Sequence, residues 1–138
     1  VDDKYCNYHQ EKFSKQERER YKEYSKKRRE DKEQKKYQDF YNSNDWKRIR
    51  DAVISCCNGI DLIEYYRTDK VIQGERVHHI VELDEDWNCR LDINNLIYLT
   101  EQNHRRVHAE YDKGEREKKQ MQQILFGLLE KWNKEFED

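Results

Sequence analysis

Four of the five histidines fall between positions 78 and 108, as an adjacent pair, His78 and His79, and a spaced pair, His104 and His108. Residues four apart on an α-helix lie about 40° apart around its axis and roughly 6 Å apart between Cβ atoms. If the segment EQNHRRVHAEYDK (101–113) is helical, His104 and His108 can therefore direct both imidazoles at one ion. Neighbours on a strand face opposite sides, so His78 and His79 cannot play the same role. One can turn toward the helix as a ligand while the other meets a different space. Neutral imidazole binds divalent metals and titrates near pH 6.5, so the chemistry open to such a cluster is metal binding and proton transfer at neutral pH.

These residues need two strands and a helix to position them, and the surrounding pattern supplies all three. Glu75 to Val81 (ERVHHIV) reads as a short strand, a polar loop runs from Glu82 to Arg90, and Leu96-Ile97-Tyr98-Leu99 is a second short apolar run. Thr100 then caps a helix from Glu101 to Lys113, with Gly114 as its stop. Upstream, Ser43, Asn44 and Asp45 offer N-caps to an amphipathic helix carrying Trp46, Ile49, Val53, Ile54 and Cys57 on one face and ending near Asn58-Gly59. Asp61 can cap a further short turn through Leu62, Ile63, Tyr65 and Tyr66, and Asp69-Lys70 and Gln73-Gly74 are turn signals. Downstream, Met121, Ile124, Leu125, Leu128, Leu129, Trp132 and Phe136 recur at helical spacing as a packing stripe.

Composition narrows the class. The 138 residues are 34% hydrophobic and 42% charged, with a mean hydropathy of −1.45, which excludes a membrane-spanning helix and leaves room for one core. The formal charge of −2 argues against nucleic-acid binding by bulk electrostatics, but the charge is unevenly placed. Residues 1–50 hold 16 Lys/Arg against 11 Asp/Glu, and the remainder 12 against 19. Phosphate contacts are therefore expected to start in the N-terminal third, where residues 11–38 read as a solvated helix without a continuous apolar stripe. Cys6, Cys56, Cys57 and Cys89 are too few and too oddly spaced for a disulfide scaffold, which points to a reducing, cytoplasmic setting. No charged-then-apolar leader opens the chain, and because position 1 is Val, its natural start is expected upstream.

The run VHHI (77–80), then NNL (94–96), then NHRRVH (103–108) resembles the HNH endonucleases, and most closely their HH…N…HxxxH variant. FYNSNDWKRIR (40–50) is similar to the segment that precedes the motif in phage-encoded members. The resemblance spans roughly residues 40–112. It implies an α+β protein with a ββα-metal (His-Me finger) core and flanking helices; joined to the helical patterns on either side, this divides the chain into a charged helical arm over residues 1–39, the nuclease core over 40–113, and an amphipathic C-terminal helix over 114–138. It also implies divalent-metal-dependent hydrolysis of phosphodiester bonds in duplex DNA, in the bacterial host cytoplasm if the protein is phage-encoded. His78, His104 and His108 would be the metal ligands and His79 the general base that takes a proton from the attacking water. Asn95 would brace the loop and orient that base, with Asn94 beside it as the other candidate. An ion held by three neutral imidazoles keeps open positions for a phosphate oxygen and a leaving 3′ oxygen. Mg²⁺, Mn²⁺, Zn²⁺ and Ni²⁺ all suit such a site in differing degree.

The departures from the family pattern carry their own expectations. Many members hold a structural zinc with two CxxC pairs, whose positions here are Leu62, Tyr65, Thr100 and Asn103. Losing all four together implies that packing replaces the zinc, with Leu62 and Tyr65 apolar and Thr100 a helix cap, so no structural zinc is expected in the core. YCNYHQ (5–10) resembles the end of a Cys/His knuckle seen in some phage members, but Cys6 and His9 alone cannot close a tetrahedral site. Arg105, Arg106 and Lys113 on the ligand helix, and Lys26, Lys27, Arg28 and Arg29 in the arm, are the candidate DNA contacts, and no small-molecule cofactor is expected. Little surface remains for reading base edges, so cleavage is expected to be weakly specific. Two rival readings stay open. One is a non-catalytic nucleic-acid-binding module in which the four histidines close around a structural ion; the other is a phage packaging accessory protein whose C-terminal stripe docks a partner such as a terminase.

Overall fold

The computed structural model describes residues 7–136, with side chains from residue 14 onward. The Cys6 and His9 side chains, and with them the knuckle expectation, lie outside the described residues. In chain order the elements are α1 (Asn7–Asn42), α2 (Asn44–Cys56), α3 (Leu62–Thr68), β1 (Arg76–His79), β2 (Leu96–Leu99), α4 (Glu101–Lys113) and α5 (Glu115–Glu135), with single 3-10 turns at Trp87–Cys89 and Ile93–Asn95. The chain divides into two units between Tyr41 and Asn42. In the first, α1 lacks an apolar stripe: Tyr21 and Tyr24 are exposed, and local pairs such as Arg20 with Glu17 and Tyr37 with Glu33 decorate its surface.

The second unit carries the histidines. Three of its four helices begin where side-chain oxygens take up orphan backbone N–H groups: Ser43 accepts from Trp46 N, Asp61 from Glu64 N and Thr100 from Asn103 N. α2 ends at Cys56, and Asn58 and Gly59 both adopt positive φ (54° and 72°) to turn the chain. β1 and β2 pair antiparallel, with His78 opposite Ile97 and His79 opposite Leu96. Gly74 approaches β2 so closely that a Cβ there would lie 2.4 Å from the Tyr98 ring.

β1 is shorter than the expected strand over Glu75–Val81, and Asn95 explains its early end. Ile80 N still donates to Asn95 O, but Val81 is then met by a side chain: its N–H donates to Asn95 Oδ1 and its carbonyl accepts from Asn95 Nδ2. A side-chain amide thus takes the place of the next residue in the ladder, and the backbone leaves the sheet as a loop.

Cys57, Ile60, Leu62, Ile80, Ile97, Leu99, Val107, Tyr111, Leu125 and Trp132 form the buried core. The α5 stripe differs from expectation at three places, one of them Phe136, which lies just past the helix end and is exposed. Ile124 is 56% exposed, whereas Gln122 is buried. At about 100° per residue Ile124 lies a quarter turn from the line through Leu125 and Trp132, and Gln122 enters because its amide donates to Ile80 O and to the Glu85 carboxylate.

Where the family pattern has its four cysteines, this chain has a polar clamp beside an apolar contact. Asp61 is fully buried, and its carboxylate accepts from Glu64 N (3.0 Å), Thr100 N (2.7 Å) and Asn103 Nδ2 (2.9 Å), joining α3 to the end of β2 and the start of α4. Leu62 is fully buried, and Tyr65 packs edge-on against Trp132. Asp61→Ala is expected to lower stability by about 3–4 kcal/mol, because three N–H donors lose a charged acceptor and two of them lie in buried surroundings. A urea midpoint within error of wild type would show that the clamp is incidental.

Candidate metal centre and proton-transfer site

The alternation of β1 separates the two adjacent histidines. His78, buried, faces α4, where His104 and His108 sit one turn apart. Its ring centroid lies 5.3 Å from each of theirs, and theirs are 4.4 Å apart. One nitrogen from each of the three rings lies within 4.8 Å of the others, and Nε2 of His104 is 3.0 Å from Nε2 of His108. This convergence of imidazole lone pairs fits a divalent transition-metal ion bound by three protein ligands. Burial, reinforced by the neighbouring imidazoles, pushes the His78 pKa down to about 3. Burial and the charges of His108 and Arg76 likewise lower His104 to about 4. Both rings are thus held in the neutral form that ligates metal.

That shift has a measurable consequence for the metal-free protein. A histidine with a depressed folded pKa contributes stability that is complete above its unfolded pKa and is lost as pH falls, because the unfolded chain takes up the proton first. Stability in EDTA is therefore expected to decline below about pH 6.5, the His104 share levelling near pH 4 and the His78 share near pH 3. Equilibrium urea unfolding checks this, and a His78→Gln chain should show a shallower decline. Equal slopes for the two chains between about pH 6.5 and 5 would refute the assignment.

His79 occupies a different space. Its ring is stacked on Trp46 from α2, with centroids 5.0 Å apart and planes 22° apart, and its Nε2 lies 3.0 Å from the carbonyl oxygen of Arg90. A carbonyl only accepts, so this contact places the proton on Nε2 and leaves the lone pair on Nδ1. Burial lowers the His79 pKa, partly offset by the Arg90 carbonyl, and so favours the neutral ring. A four-histidine closed site is not what the chain builds: three imidazoles meet and the fourth turns away.

Of the two candidate asparagines, Asn95 is buried and Asn94 exposed. Besides gripping Val81, Asn95 donates to Cys89 O (3.3 Å), one residue before the carbonyl that holds His79. The strand end, the loop and the His79 ring are thereby tied together. Two further contacts were not legible as site features. Tyr111 donates to Ile80 O (2.7 Å) and lies 3.3 Å from His78 Nε2; its only sequence signal is that it follows His104 and His108 on the same helical face. The Trp46 stack has no local signal beyond its place on an apolar helix face.

The candidate cations are dispersed. Arg105 is exposed, 3.9 Å from Glu101. Arg106 points toward α3, donating to Asn103 Oδ1 (3.1 Å) and lying 3.8 Å from Glu64. Lys113 pairs with Glu110, and Lys26, Lys27, Arg28 and Arg29 are exposed on α1. Among the described residues, no helix is long and apolar enough to cross a membrane.

No protein-family model and no curated protein matches the chain. Among solved structures it is similar to the HNH endonuclease of the deep-sea thermophilic bacteriophage GVE2, determined with a manganese ion. The two are 34% identical with a TM-score of 0.55, and the match covers 67% of this chain and 95% of that one.

Proposed function

The chain belongs to the HNH endonuclease family, and from that membership we propose that it is a divalent-metal-dependent endonuclease hydrolysing phosphodiester bonds in duplex DNA. The observation that carries this reading is the split of the histidines: three converge on one point, while the next residue in the chain is held elsewhere with a fixed lone pair. In this reading His78, His104 and His108 hold the ion. The ion, when bound, supplies positive charge for a phosphate oxygen and the leaving oxygen. His79 takes the proton of the attacking water on Nδ1, since Arg90 O occupies Nε2. Asn95 keeps Val81 and Cys89 in place and so keeps Arg90 O aimed at His79. Manganese, present in the similar phage enzyme, is the first ion to test, and Mg²⁺, Zn²⁺ and Ni²⁺ follow.

The deciding experiment is relaxation of supercoiled plasmid by the purified chain with Mn²⁺ and with EDTA. Metal-dependent nicking that EDTA stops supports the reading; binding without nicking under any of the four ions refutes it. Products from a long duplex should be many and should increase with time, because contacts to phosphate carry no sequence information.

The arm is proposed to supply part of the DNA affinity. Replacing Lys26, Lys27, Arg28 and Arg29 by Gln should flatten the slope of log Kobs against log salt by about 0.9 for each phosphate no longer neutralised, up to about 3–4 in total. The single-turnover cleavage rate at saturating protein should be unchanged. An unaltered slope would move DNA binding to α4, to Arg105, Arg106 and Lys113.

A further inference from the structure

We propose that Trp46 is a positioning residue for proton transfer, fixing the ring plane of His79; this rests on the reading of His79 as the general base. A histidine on a strand has two side-chain torsions to restrain. The Arg90 carbonyl restrains the far end of the ring, because a flip about the Cβ–Cγ bond would replace Nε2 by carbon opposite that oxygen. That contact still tolerates a partial swing about the same bond, because a hydrogen bond to a carbonyl accepts tens of degrees of misalignment, and Nδ1, further from the bond axis, then travels a longer arc than Nε2. A flat partner against the ring face removes the swing, and Trp46 is such a partner, at 5.0 Å and 22°.

The indole is itself well anchored. Trp46 is 5% exposed, and its backbone N–H donates to the N-cap Ser43 Oγ at 3.2 Å, so the first turn of α2 sets where the ring lies. α2 thereby contributes to the site without supplying a ligand or a proton acceptor. The general base is held on its edge by the 81–95 loop and on its face by α2. A displacement of about 1 Å in the accepting nitrogen is enough to cost on the order of 100-fold in rate.

The test uses the Mn²⁺-loaded full chain under single-turnover conditions. Trp46→Phe, which keeps a flat face, should stay within about 3-fold of wild type, and Trp46→Leu should lose about 10–100-fold in the cleavage step while its affinities for DNA and Mn²⁺ are retained. Melting temperatures are measured alongside, and rates are compared where every variant is folded. Chemical rescue then isolates positioning from stability. In His79→Gly, added imidazole should restore cleavage saturably, and adding Trp46→Leu should raise the half-saturating imidazole concentration at least tenfold, because the indole face that receives the ring is gone. Rescue with the same half-saturation in both backgrounds, or Trp46→Leu cutting at the wild-type rate, overturns the proposal. No rescue of His79→Gly at any imidazole concentration, with Trp46→Leu still impaired in the His79 chain, would overturn the base assignment and the proposal built on it.

Discussion

His79→Ala is expected to lower the single-turnover cleavage rate by about 10²–10⁴-fold while Mn²⁺ affinity stays within a few-fold of wild type. The separation follows from β1. His78 and His79 point to opposite sides, so the His79 ring is absent from the group of three nitrogens that converge and lies instead between Trp46 and Arg90. Truncating it removes a proton acceptor and leaves the convergent rings with their own partners: Tyr111 beside His78, and His104 and His108 beside each other. Isothermal titration with Mn²⁺ and plasmid relaxation on one protein preparation read both quantities. A parallel loss of metal affinity and rate would mean that His79 belongs to the metal centre, and the division of labour between the two residues would fall.

His104→Ala and His108→Ala are each expected to reduce Mn²⁺ affinity by at least about 100-fold and to abolish cleavage at micromolar metal, with the fold intact. Loss of one of the three proposed ligands leaves two imidazoles, which hold a divalent ion far less tightly against water. The fold should survive because its connections run elsewhere. The apolar core packs Leu62, Ile80, Ile97, Leu99 and Val107, and Asp61 ties α3 to the start of α4 through hydrogen bonds that need no ion. Circular dichroism of the variants, and of wild type in EDTA, checks the second half. Unfolding of the chelated protein at room temperature would make the ion structural and favour the binding-module reading over the nuclease.

In the proposed reading cleavage depends on the ion and the base together and folding on the Asp61 clamp, and the two sets of variants test these dependences separately. A chain that had kept the zinc-binding cysteines would link them, since one chelator would remove both ions. Here the positions that would carry those cysteines, Leu62, Tyr65, Thr100 and Asn103, are occupied by an apolar residue, an aromatic ring and two polar groups hydrogen-bonded around α3 and α4.

What could be read from the sequence rests on local periodicity. The i, i+4 spacing of His104 and His108, the alternation at His78 and His79, the Thr100 cap and the turn at Gly114 each depend on a few neighbouring residues, and backbone geometry turns such spacings into directions in space. Local reasoning prefers Asn95 only through the resemblance and leaves Asn94 open beside it, because both are ordinary turn residues; the partner 14 residues away, Val81, distinguishes the buried one. It also places Ile124 inside and gives Gln122 no role, because hydrophobicity does not register that an amide can be buried where Ile80 O and the Glu85 carboxylate accept from it. Trp46 against His79, Tyr111 beneath Ile80, and Asp61 between Thr100 and Asn103 lie further still from any local signal. Each joins residues about 30 or more positions apart, so no short-range pattern encodes it. Such contacts follow from where the helices come to rest on the sheet, and that placement is decided by the packing of the whole core.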